Sequence, residues 1–144
     1  QTAACALRAM VQLAFAGESR CSTDDLANRT MVPRAYLSKV LQGLRASGLI
    51  KSKRGAGGGV CLNQPPTEIT ILNVVNAVEP IQRIRSCPLR LHSHGIRLCP
   101  LHSKVDEALA LIEHSFGSTT LDQIVAGDGN RPAPLCDIPV AMVP

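Results

Sequence analysis

The chain has 144 residues, enough for one compact domain or a small domain with an appended element, and 45% of them are hydrophobic. Only 2% are aromatic, so the core must be aliphatic, which suits helix packing better than a β-sandwich. The net charge is +4, and no apolar run approaches the ~18 residues that span a bilayer.

Residues 2–16 are predicted to be a helix. Ala3, Ala6, Leu7, Met10, Val11, Ala14 and Phe15 recur at helical spacing, and Gly17 is a natural stop. No signal peptide is expected there, because Arg8 interrupts the apolar stretch. Ser22-Thr23-Asp24-Asp25 supplies a cap and first-turn acids for a short helix over about 23–28. After a tight connection at residues 30–32, Pro33 opens a second helix that ends near Ser47-Gly48. Short helix, turn and second helix make a helix-turn-helix pattern. Leu49-Ile50 then starts a strand, residues 51–59 form a basic, glycine-rich hairpin tip, and residues 60–62 return. A basic hairpin in that position reads as a wing.

Pro65-Pro66 breaks the chain, and Thr70 caps a helix over 71–78. Residues 79–98 lose periodicity and form a loop carrying Cys87 and His92. A long helix is predicted from Pro100 to about Phe116. Its stripe is Leu101, Val105, Ala108, Leu109, Ile112 and Phe116. Residues 119–125 look like a last short turn of helix, and Pro and Gly from Gly127 onward suggest a disordered tail.

The charge is segregated. Residues 26–67 hold Arg29, Arg34, Lys39, Arg45, Lys51, Lys53 and Arg54 with no Asp or Glu, and residues 80–105 are again acid-free. Such a run can be a solvated face, but the total absence of acids favours a polyanionic partner. Arg34, Tyr36, Ser38, Lys39 and Gln42 lie on the predicted outer face of the second helix, with Leu37, Val40, Leu41 and Leu44 inward. They are candidate contacts to double-stranded DNA. In the wing, Lys51, Lys53 and Arg54 supply charge, while Gly57 and Gly58 allow the backbone close to a phosphate or into the minor groove. A nucleotide-cradling loop is disfavoured, since no Gly-Lys-Ser/Thr unit leads into a helix.

The segments Tyr36-Leu37-Ser38-Lys39-Val40-Leu41, Gly48-Leu49-Ile50 and Arg54-Gly55-Ala56-Gly57-Gly58-Gly59, with Ala6-Leu7-Arg8-Ala9-Met10 before them and the Pro65–Thr70 segment after, resemble the Rrf-two family of bacterial regulators, the IscR/NsrR/RirA group. The resemblance covers about residues 1–125. It implies a mainly α, cytoplasmic winged helix-turn-helix regulator with a small two-stranded β-wing and a long C-terminal dimerisation helix. It also implies a homodimer on a pseudo-palindromic operator, acting more often as repressor than activator. The expected partition is 1–66 for the DNA-binding domain, 67–99 for a connecting helix and Cys-containing sensor loop, 100–126 for the dimerisation helix and 127–144 for the tail.

Sensing members of that family respond to redox, nitric oxide or iron–sulfur status and carry three Cys separated by five residues each, which implies a sensor in the Cys87–His102 loop. Here the frame holds Cys87, Ser93 and Cys99, so the middle position is altered. A subgroup has a His three residues beyond the last Cys, and His102 matches it. In several members an acidic residue near the start of the first helix of the partner subunit completes the ligand set, and Ala4 stands at the matching position. The resemblance therefore implies a [2Fe-2S] cluster on Cys87 and Cys99, with His102 or another His and a group of the partner subunit completing it. A different metal, a redox thiol pair and free thiols remain open. Nearby Arg85, Arg90 and Arg97 would offset thiolate charge.

Cys5 is expected in the core, Cys21 as a surface thiol and His114 toward solvent, while Cys61 and Cys136 receive no role. An enzyme, such as a thiol oxidoreductase on Cys87 and Cys99, is the main rival class, and a winged-helix module that binds only protein is the second. No Cys-x-x-Cys supports the enzyme.

Overall fold

The computed structural model describes residues 1–95, 97–130 and 134. Cys136 and most of the expected tail lie outside them. Helix α1 (Thr2–Ala16) is the centre of the fold. Cys5, Ala6, Ala9, Met10 and Leu13 are buried at helical spacing, and α1 packs against the neighbours that follow on several sides.

Helix α2 (Thr23–Thr30) begins where Ser22 caps it, its Oγ accepting from the Asp25 amide at 3.1 Å. It runs two residues past the expected end. Buried Thr30 stays helical by donating its hydroxyl to the Leu26 carbonyl at 2.6 Å, and Met31 closes the helix in the left-handed region. Pro33 is the N-cap of α3 (Arg34–Ala46) rather than its first turn. Helix α3 turns Leu37, Val40, Leu41 and Leu44 into the core, as the spacing predicts.

Strands β1 (Ile50–Lys53) and β2 (Gly59–Leu62) pair antiparallel, Ile50 opposite Leu62 and Lys53 opposite Gly59. Lys51 and Lys53 therefore belong to a strand, and the hairpin tip is shorter than expected. Its glycines divide in function. A side chain at Gly58 would meet the Lys53 carbonyl oxygen at 2.5 Å, and Gly59 (φ +132) lies against the Cys21 carbonyl.

That contact exposes an error in the sequence reading. Cys21 is not a surface thiol but is only 9% exposed. Its amide and carbonyl both bond to Val60, at 2.9 and 2.8 Å, so the residue forms a bridge on the far side of β2. Burial pushes its thiol above the ordinary range, against an opposing pull from Arg29. A single bridging residue has no period-2 pattern, which is why it reads as loop. Cys5 is buried as expected, and Arg8 reaches its sulfur at 3.4 Å.

Beyond a 3-10 turn at Pro66–Glu68, α4 (Ile71–Val78) starts with a Thr70–Asn73 capping box. It packs on α1 and α3. Helix α5 (Pro100–Gly117) follows a loop containing one 3-10 turn, His92–His94. Helix α6 (Leu121–Ala126) then returns to α1. Bonds Ile71 N–H to Thr119 carbonyl and Leu121 N–H to Ile69 carbonyl, both 2.9 Å, fasten it beside the start of α4. Ile69, Val74 and Leu121 are buried in the same core as Leu13, Leu26 and Leu44.

By contrast, α5 buries no residue in this chain. Arg83 ties the preceding loop to it, donating to both Asp106 oxygens at 2.7 Å and to Glu113 at 3.1 Å.

Candidate nucleic-acid interface

The acid-free stretch folds into α3 and the hairpin. Arg34, Tyr36, Ser38, Lys39 and Gln42 are all exposed on α3, because the four leucine and valine positions between them face inward. Lys51, Lys53 and Arg54 are exposed on the hairpin. Arg45 joins the two elements, its guanidinium donating to Ser52 Oγ at 3.0 Å. The cations thus stand on adjacent, connected elements rather than being scattered.

Not all of the expected contact residues are equally free. Arg34 Nε lies 2.7 Å from Asp24 Oδ1 at the start of α2. The Tyr36 hydroxyl sits 2.7 Å from Thr2 Oγ1, linking α3 to the first turn of α1. Ser38 donates back to the Arg34 carbonyl at 3.0 Å. Asp24 is the residue that sequence reasoning passed over here. Its signal in the sequence is its position, an acid at the edge of a basic stretch, which equally suits a helix start.

The cysteine loop brings some of its expected residues together and leaves others apart. Cys99 is the N-cap of α5, and its sulfur lies 3.2 Å from His102 Nδ1. Cys87 is buried and Ser93 exposed. His94 Nδ1 is buried without a hydrogen-bond partner. Among the described residues no three His, Cys, Asp or Glu side chains gather as a metal-holding group. Two donors, Cys99 and His102, are therefore placed as a pair, and Cys87 does not join them. The described residues of one chain do not by themselves assemble the donor set that a [2Fe-2S] cluster requires. His114 is exposed on α5, as expected. No helix among the described residues is long and apolar enough to cross a membrane.

Comparison with known proteins agrees with the fold. Residues 1–127 match the family described as Rrf2, iron-dependent transcriptional regulator. An HTH-type transcriptional regulator of Neisseria meningitidis is 29% identical over 131 residues, covering 88% of each chain. The HTH-type transcriptional regulator IscR of Pectobacterium carotovorum is 29% identical over 121 residues, covering 83% of this chain and 74% of that one. Among solved structures, CymR, the global cysteine regulator of B. subtilis, superposes with a TM-score of 0.71 at 25% identity, covering 88% of this chain and 94% of its own. IscR of T. potens superposes with a TM-score of 0.73 at 24% identity, covering 92% and 90%, and bears on the fold alone. The chain belongs to the Rrf2 family, and is a winged-helix transcription regulator rather than an enzyme.

Proposed function

We propose that the protein is a cytoplasmic, homodimeric repressor that binds a pseudo-palindromic DNA site, with α3 of each copy in a major groove and each wing against the neighbouring minor groove. The observation that carries this reading is the joining of the exposed cations of α3 to those of the hairpin through Arg45 and Ser52. Arg34, Tyr36, Ser38, Lys39 and Gln42 would meet bases and phosphates. Lys51, Lys53 and Arg54 would meet phosphates, and Gly57 would let the wing backbone approach them. Gly58 is committed to the turn itself, so its part is to shape the wing.

The segment from Cys87 to His102 is the proposed sensor of redox, nitric oxide or iron–sulfur status. Within it, the sulfur of Cys99 beside the His102 imidazole favours thiol chemistry over a cluster held by one chain. A loop state alters regulation only if the two states differ in DNA affinity. The test is to purify the protein without oxygen, record its visible spectrum and iron and sulfide content, and measure DNA affinity before and after thiol oxidation. A colourless, iron-free protein whose affinity shifts on oxidation and recovers on reduction is expected. Stoichiometric iron and sulfide would replace the thiol reading with a cluster.

A further inference from the structure

Two adjacent acids open α2, and the structure gives them different partners. Asp25 serves the helix cap: it accepts from Ser22 Oγ at 2.6 Å while its amide donates to that same oxygen. Asp24 turns instead to the other helix of the pair and holds Arg34 Nε at 2.7 Å. Its neighbours toward the C-terminus, from Leu26 to Thr67, include no further acid.

Stability does not account for this pair. Both side chains are about two-thirds exposed, at 68% and 64%, and an ion pair so open to solvent and salt contributes little to folding. Its effect is geometric. Arg34 is the first residue of α3, the end of a recognition helix that meets base edges. The carboxylate stands on the Nε side of the guanidinium as an ion pair, not a hydrogen bond, so the two Nη groups are left as a fork of donors, and among the described residues no partner of theirs is found. That fork matches O6 and N7 of guanine. It also matches phosphate oxygens, which are more abundant on any duplex. A carboxylate beside the guanidinium changes this competition. It restrains the long side chain before DNA arrives, and it repels a phosphate that approaches the same spot, whereas the uncharged guanine edge is tolerated.

We propose that Asp24 is a positioning residue for DNA sequence discrimination, which aims Arg34 at a base and keeps it off the phosphate backbone. The proposal rests on α3 being the recognition helix. It predicts that losing Asp24 makes the protein bind DNA more tightly and less selectively. Loss of a merely structural acid would instead weaken binding to all sequences or leave it unchanged.

The experiment uses the full chain. A preferred duplex is selected from a random pool with the wild-type protein, and affinities for that duplex and for a random duplex are measured by fluorescence anisotropy. The proteins compared are wild type, Asp24→Asn, Arg34→Ala and the double variant, with thermal melting to confirm that each is folded. Asp24→Asn is expected to tighten random-duplex binding several-fold and to lower the selected-to-random ratio about tenfold, the scale of one base contact. In the Arg34→Ala background the same change is expected to move that ratio by less than about twofold. A ratio within about twofold of wild type for Asp24→Asn overturns the proposal. So does an undiminished effect of Asp24→Asn when Arg34 is absent. A wild-type protein that selects no sequence from the pool overturns the recognition-helix reading, and the role of Asp24 with it.

Discussion

Lys39 is exposed on α3 and makes no ion pair among the described residues, so its ammonium is free to meet a phosphate. Replacing it with Ala should weaken binding to every duplex alike and lower the slope of log affinity against log salt by about one. Affinity titrations at several salt concentrations check this, and an unchanged slope removes Lys39 from the interface. At the scale of single residues, the sequence was informative where a residue's type is set by its neighbours along the chain. The inward Leu37, Val40, Leu41 and Leu44 and the caps Ser22 and Thr70 were all legible in that way. Cys21 was not, because its burial depends on Val60, far along the chain. The same holds for the Asp24–Arg34 pair, whose partners meet only when α2 and α3 pack.

Among the elements, the segment before Cys87 and the helix after Cys99 are joined by one polar cluster. Asp106 accepts both Arg83 nitrogens and the Ile84 amide, the latter at 2.8 Å. The Arg83 hydrogen bonds, helped by that amide, lower the Asp106 carboxyl from its ordinary 3.8 to about 2, and partial burial opposes them. The same bonds raise the Arg83 guanidinium above its ordinary range. A depressed carboxylate stabilises the fold at pH values above its unfolded pKa, and that contribution disappears as pH falls through the folded one. Wild type should therefore melt above Asp106→Asn at pH 5 to 8, and the gap should close as pH drops from about 4 to about 2. The gap should be modest, since solvent screens the cluster. Differential scanning calorimetry across that range checks it, and a gap that persists at the acid end contradicts the tether. Periodicity announced α5 itself, but Arg83 and Asp106 lie in unrelated patterns, and no spacing rule pairs them.

At the scale of the whole molecule, α5 stands out for what it leaves uncovered. Its predicted stripe exists, yet no residue of α5 is buried, with Leu101 68% and Leu111 72% exposed. An apolar groove of about 550 Å³ runs between α1, α4 and α5, lined by Leu7, Val75, Ile112 and Phe116 among others. Apolar surface of this kind calls for a partner, and a second copy is the partner proposed here. Ile112→Asp should shift the protein from dimer to monomer in sedimentation velocity, and wild-type protein that sediments as a monomer at micromolar concentration contradicts the dimer. Architecture was readable at this scale because helical periods, caps and the basic glycine-rich hairpin agree with one another. The return of α6 to the core was not, since Leu121 acquires its place only through contacts with Ile69 and α1. The claim on which the rest depends is that the α3–hairpin surface binds duplex DNA. It is tested most directly by titrating a labelled random duplex with the wild-type protein at decreasing salt. The account predicts binding with Kd on the order of 10⁻⁴ to 10⁻⁶ M near physiological salt, tightening linearly on a log–log plot as salt falls. No binding at low salt, or affinity indifferent to salt, would contradict it.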